Sequence, residues 1–216
     1  MEPINLAQAP APMSLTEYVY STLKRQIMKG ELPPGYRLIV LDLTKAFGVS
    51  QAPVREALER LKQEGLIVGK TNKGSAVSEI TPQEIRDIYE LRQLIEGHAL
   101  RATMNVLTAQ DIEHLENIVK GMRESVDNGD PFRLVELDMD FHGYFYERSG
   151  NALFLDIWNR IKTKIMRFIS VTNHDHQGYS IPDSHLELLD LIKTGNVDVT
   201  EEKLIRGLDF YKHYTG

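Results

Sequence analysis

The sequence has no cysteine and one tryptophan among its 216 residues. The missing thiols exclude a disulfide framework, thiolate zinc ligands and a cysteine nucleophile together, and they suit a reducing compartment. No apolar run approaches the roughly 18 residues needed to span a bilayer, and no charged-then-apolar segment opens the chain. A cytoplasmic protein is therefore expected. Overall positive charge is also lacking, since the net charge is -6, but an average can hide two unlike halves. Residues 14–80 carry ten Lys/Arg against seven Asp/Glu, or +3, and residues 81–216 carry 15 against 23, or -8. All seven histidines, from His98 to His213, fall in the acidic part. With 42% hydrophobic residues the chain can fill a core, so wholesale disorder is not expected.

The first stretch, 1–13, holds Pro3, Pro10 and Pro12 without a sustained period and reads as a flexible leader. From Ser14, an N-cap with Glu17 three residues on, the apolar positions Leu15, Val19, Leu23 and Ile27 predict an amphipathic helix that ends near Gly30. Leu41, Leu43, Ala46 and Phe47 predict a short second helix closed by Gly48. A third runs from Ser50 to Gly65, with Pro53 in its first turn and Val54, Leu58 and Leu61 on one stripe. Residues 66–68 and 76–77 read as two strands of a hairpin around a cationic turn. Three helices and a hairpin make a winged helix-turn-helix over 14–80. From Thr81 onward apolar residues recur at helical spacing, which predicts an all-helical second domain over 81–216, with helices at about 82–106, 109–127, 131–149, 152–172, 181–194 and 198–213. The fold class is mainly α.

A winged helix-turn-helix places the start of its recognition helix against base edges in the major groove. Here that start is Ser50, Gln51, Ala52 and Arg55. Gln suits the adenine edge and Arg suits guanine or phosphate, while Lys70, Asn72 and Lys73 at the wing tip suit phosphate or the minor groove. Lys24, Arg37 and Lys45 add positive charge, and Gly74 serves the wing either as a turn residue or as a groove contact. In the second domain Asp138 and His142 stand four apart, hence on one helical face, and His185 on a later helix can join them around a divalent metal such as zinc. The same spacing also suits an ordinary hydrogen bond. Arg92 and Arg167 are candidates to hold an effector carboxylate through paired guanidinium donors; for Arg92 a salt bridge to Glu96 is the alternative. His174 and His176 around Asp175 read as a solvated loop or a second metal group, and Trp158 as core or interface.

The segments Gly30-Glu-Leu-Pro-Pro-Gly35, Leu43-Thr-Lys-Ala-Phe-Gly-Val-Ser50, Pro53-Val-Arg-Glu-Ala-Leu58 and Glu64-Gly-Leu66 resemble the GntR family of bacterial transcription regulators. Residues 81–216 resemble the FCD ligand-binding domain of the FadR-type subfamily, through Ile88-Tyr-Glu-Leu-Arg92 with Glu96, Leu137-Asp138-Met-Asp-Phe141-His142, and Gly150-Asn151. The resemblance implies a DNA face at Ser50, Gln51, Ala52 and Arg55 with the wing around Gly74, and a metal held by one Asp and three His. Three of those ligands map onto Asp138, His142 and His185. The fourth falls near Leu208, with Asp209 adjacent and His213 five residues on, so it has no clean match. Many relatives carry Arg at the position of Gln51, so the operator does not transfer.

The expected protein is a regulator that binds operator double-stranded DNA as a homodimer, its affinity altered by a small organic or sugar acid. It is expected not to be an enzyme and to have no membrane partner. The rival reading is a metal-dependent hydrolase with Asp140 as base. Against it, Asp140 is two residues from Asp138 and faces away, and neither a Gly-x-Ser-x-Gly turn nor a dinucleotide fingerprint occurs. A protein with a weakened DNA domain is the third possibility.

Overall fold

In a computed structural model describing residues 13–70, 74–172 and 180–212, the chain divides after Glu79 into two compact units. The leader 1–12, the wing-tip residues Asn72 and Lys73, the loop with His174 and His176, and His213 lie outside the described residues, as does the side chain of Lys70.

The first unit opens with α1 (Leu15–Met28), where the Ser14 hydroxyl accepts from the Glu17 amide at 3.1 Å. Such a cap contributes about 1 kcal/mol. Val19, Leu23 and Ile27, one helical turn apart, are at most 1% exposed and face the unit's core. After α2 (Val40–Phe47) the chain must reverse within a few residues. Gly48 does this at φ +66°, a left-handed cap that a side chain would strain. The third helix, α3 (Gln51–Gln63), then packs Val54, Ala57 and Leu61 inward and leaves Gln51, Ala52 and Arg55 exposed. A polar clasp ties α3 to α1: Lys24 pairs with Glu64 at 2.7 Å, Arg60 with Glu17 at 2.7 Å, and the Arg60 guanidinium stands 3.8 Å over the Tyr20 ring.

The wing is an antiparallel sheet of three strands, not two. β2 (Ile67–Lys70) and β3 (Gly74–Val77) pair from Ile67 opposite Val77 to Lys70 opposite Gly74, and β1 (Arg37–Leu38) adds to the other edge of β3. Two residues are too short to show a period of two, so β1 leaves no trace in the sequence pattern.

Every regular element among the second unit's described residues is a helix. α4 (Pro82–Met104) starts at Thr81, whose hydroxyl accepts from the Glu84 amide, with Pro82 in the first turn where its missing N–H is harmless. α5 (Ala109–Asp127) starts in a capping box between Thr108 and Asp111. α6 (Pro131–Arg148) is the central helix: it packs against α4, α5 and α7 (Ala152–Thr172), and Phe141, Phe145 and Tyr146 are fully buried in the common core. α8 (Ser180–Thr194) lies on α5, and α9 (Val197–Gly207) on α4 and α8. The expected single last helix is interrupted. Leu208–Tyr211 tighten into a 3₁₀ turn after Gly207.

Candidate functional site

The first unit presents an outward face at the start of α3. Ser50 is exposed and makes no capping bond with its side chain, so its hydroxyl is not consumed by the helix it begins. Arg55 donates from Nη2 to Oε1 of Gln51 at 3.1 Å, one turn back, which holds the two candidate readers side by side. Lys45, in the last turn of α2, and Arg37, on β1, are exposed as well. Lys24 is different, because its ammonium is half-buried and bonded to Glu64 and to the Tyr20 hydroxyl. It belongs to the α1–α3 clasp. Gly74 has φ +79°, and a Cβ there would stand 3.3 Å from the Leu38 carbonyl oxygen, so the turn and the close approach of β1 account for this glycine.

The second unit contains a cavity of about 250 Å³. Its polar lining comes from Arg92 on α4, Asp138 and His142 on α6, Ser184 and His185 on α8, and Lys203 on α9. Val135, Ile169, Leu188, Leu204 and Leu208 supply apolar wall. Asp138, His142 and His185 converge as expected. Asp138 Oδ1 lies 3.0 Å from His185 Nε2 and 3.7 Å from His142 Nε2, and the two Nε2 atoms are 3.3 Å apart. Ligand atoms placed about 2.0–2.2 Å from a tetrahedral zinc are separated by about 3.4 Å. The triangle fits such an ion.

The hydrogen bonds behind the imidazoles make the fit chemical as well as geometric. His142 Nδ1 is bonded to the Glu96 carboxylate, and His185 Nδ1 to the Ile181 carbonyl at 2.8 Å. A neutral imidazole that donates from Nδ1 has a bare lone pair on Nε2. Two such lone pairs and a carboxylate oxygen then face one another in a buried space, an arrangement that requires a cation among them. A proton or a metal ion can supply it. In the metal-free protein burial opposes charge on His185, but the Asp138 carboxylate outweighs it and raises the imidazole above its usual value of 6.5. Burial likewise opposes charge on Asp138, yet His185 and then His142 bring it down to about 2.

Arg92 is 1% exposed, and it both makes the salt bridge to Glu96 and lines the cavity. Its Nε donates to Glu96 Oε2 at 2.9 Å, while Nη2 is buried without a hydrogen-bond partner. A buried guanidinium N–H left unsatisfied costs about 1–3 kcal/mol or more, so an arriving anion gains a donor already desolvated and oriented. Arg167 does not share the cavity. It is 3% exposed on α7, two residues from the cavity-lining Ile169 and therefore about 200° round the helix, where Glu84 is the charge acting on it. Asp140 is exposed and lines nothing in the cavity, which removes the proposed hydrolytic base. Asp209 is turned toward Gln93 and Lys212, at 2.6 and 2.7 Å, away from the ligand triangle. Trp158 is 2% exposed and stacks on Tyr146 with centroids 4.8 Å apart, in the core.

Two participants escaped the sequence reading. Lys203 reaches the cavity from α9, where it is bonded to Glu187, and no spacing announces it. Tyr146 donates to Glu96 Oε2 at 3.0 Å and stands one turn after His142, a signal that the i, i+4 rule carries.

Residues 15–77 match the family described as bacterial regulatory proteins, gntR family, and residues 87–209 match the FCD domain. Among curated relatives, the HTH-type transcriptional regulator YdhC of Bacillus subtilis is 24% identical over 189 residues, which cover 86% of this chain and 84% of that protein. The HTH-type transcriptional repressor RspR of Escherichia coli is 26% identical over 198 residues, 90% of this chain and 86% of its own. Among solved structures, McbR/YncC of E. coli superposes with a TM-score of 0.73 at 23% identity, over 94% of this chain and 98% of that one, and so shares the fold.

Proposed function

The chain belongs to the GntR family of bacterial regulatory proteins and carries an FCD domain, and on that premise we propose a transcription regulator whose operator affinity is set by a metal-anchored organic acid in its helical unit. Binding to DNA falls to the exposed start of α3. Ser50, Gln51 and Arg55 read base edges, Ala52 lets the backbone come close, and Lys45, Arg37 and the wing around Gly74, with Lys70, Asn72 and Lys73, hold phosphates. One such module makes few contacts, so the protein acts as a homodimer on a palindromic operator, where the second half-site binds at high effective concentration. RspR is a repressor, which favours repression here. A regulator of this kind works in the cytoplasm, where its DNA is.

The observation that carries the sensing half is the convergence of the Nε2 atoms of His142 and His185 and the Asp138 carboxylate beside a buried guanidinium N–H that has no partner. Asp138, His142 and His185 would hold a divalent ion, zinc being the one their donor set suits. Bound there, the ion supplies positive charge and open coordination positions for effector oxygens. Arg92 takes the carboxylate, Lys203 adds a second cation, and the apolar wall excludes water from the acid's carbon body. The acid shifts the regulator only if it binds better to one dimer geometry than to the other.

Elemental analysis of the purified protein, followed by thermal-shift titration with organic acids with and without chelator, tests the sensor. Stoichiometric divalent metal and acid-dependent stabilisation that chelator abolishes are expected, because a ligand specific to the folded state raises its stability. Absence of metal uptake from a zinc-containing buffer contradicts the reading.

A further inference from the structure

Glu96 is completely buried, yet it is neither a predicted metal ligand nor part of the cavity lining. Both of its oxygens are engaged. Oε1 is bonded to Nδ1 of His142, and Oε2 accepts from Arg92 Nε at 2.9 Å and from the Tyr146 hydroxyl at 3.0 Å. One carboxylate thus fixes two different anchors of the site. By accepting the Nδ1 proton it fixes the tautomer in which His142 turns a bare Nε2 toward Asp138 and His185. By accepting from Arg92 Nε it turns the guanidinium so that Nη2 is left over for an anion. The geometry also crosses elements, since Glu96 and Arg92 lie on α4, His142 and Tyr146 on α6, and His185 on α8. Asp138 is on α6 as well, so α4 supplies no ligand to the triangle, and Glu96 is its connection to one. In sequence α4 is the first helix after the boundary at Glu79 that ends the DNA-binding unit.

Resting on the metal reading above, we propose that Glu96 is a positioning residue that ties metal binding by α6 and α8 to the order of α4. Carboxylates behind a ligating imidazole orient the ring and raise its basicity, and their loss typically costs about 10–100-fold in metal affinity. Glu96→Gln keeps the shape and the bonds to Arg92 and Tyr146 through its amide oxygen but presents an amide to His142 in place of a carboxylate.

The test uses zinc alone as probe on the full-length chain, with a competing chromophoric chelator, and hydrogen exchange with and without saturating zinc. Wild type is expected to gain amide protection in α4, α6 and α8 on binding zinc. Glu96→Gln is expected to bind zinc about 10–100-fold more weakly and, once saturated, to gain protection in α6 and α8 but not in α4. Zinc affinity unchanged in Glu96→Gln but lost in Asp138→Ala overturns the inference and leaves the metal reading standing, as does an undiminished gain in α4. Failure of wild type to bind zinc overturns both. Should Glu96→Gln not fold, nitrogen-15 shifts of the metal-free wild-type protein decide: His142 protonated on Nδ1 and bare on Nε2 is expected, and the opposite tautomer overturns the proposal.

Discussion

Gly143 sits on α6 one residue after His142, at the point where Trp158 of α7 crosses. A Cβ at this position would stand 2.6 Å from the indole Nε1, 3.3 Å from Cε2 and 3.5 Å from Cδ1. Ordinary contact begins near 3.4 Å, so Gly143→Ala must displace the ring by about 0.8 Å. The ring has little freedom to move, being 2% exposed and stacked on Tyr146 at an interplanar angle of 18°. Overpacking of this kind costs about 1–3 kcal/mol, and alanine returns up to about 1 kcal/mol through its helix propensity. For a ring this confined the upper part of that range applies, about 2–3 kcal/mol, so the net expected loss is about 1–2 kcal/mol, or about 3–6 °C in the melting temperature of a domain of this size. Trp158 is the single tryptophan, so urea unfolding followed by its fluorescence reads the contact directly. The displaced ring also pushes on Tyr146 and thereby loosens its 3.0 Å bond to Glu96, so weaker zinc binding should accompany the lost stability. A variant as stable as wild type, with an unchanged emission maximum, would refute this account of the α6–α7 packing.

Asp138→Ala and His142→Ala should each lower metal content in elemental analysis while operator binding is partly retained, and full metal stoichiometry in both would rule out the assigned triangle. The Asp111 carboxylate accepts from the Tyr144 hydroxyl and then from the Thr108 amide, which hold it below its ordinary value of 3.8. A depressed acid contributes stability above its unfolded value and loses it as pH falls through the folded one. Wild type should therefore lose melting temperature below about pH 3.8 more steeply than Asp111→Asn, and parallel curves would contradict this. Ser50→Ala should leave the melting temperature almost unchanged, because its hydroxyl caps nothing, while weakening operator binding in a gel shift; a clear loss of stability would show that the hydroxyl serves the helix.

Most helices were legible because their ends are marked chemically. Thr81-Pro82, the Thr108 to Asp111 capping box and Asp130-Pro131 start α4, α5 and α6 at the residues where the pattern placed them. The last helix was over-extended, since a 3₁₀ turn and an α-helix share nearly the same apolar spacing over four residues. In the site, Asp138 and His142 are readable from a spacing of four, but His185 is 43 residues from His142, so it could only be named as a candidate on a later helix, to which the family resemblance then added support. Arg92 posed a choice between salt bridge and pocket that a sequence presents as exclusive. The guanidinium has separate faces: Nε makes the salt bridge, while Nη2 keeps no hydrogen-bond partner in a residue that lines the cavity. Arg167, a lone arginine on an apolar helix, carries no phase information in the sequence to say which side of α7 it takes, and it is not among the residues that line this cavity. Lys203 could not be found, since its approach to the cavity depends on how α9 packs against α4 and α8.

The claim on which the functional account turns is that the start of α3 reads DNA. Selection of bound fragments from a random duplex pool, run in parallel on wild type and Arg55→Ala at several salt concentrations, tests it most directly. Wild type should enrich a palindrome with two half-sites about one helical turn apart, and Arg55→Ala should lose that enrichment with its fold and zinc binding intact. Enrichment of the same palindrome by both proteins, with equal affinity and equal salt dependence, would contradict the claim.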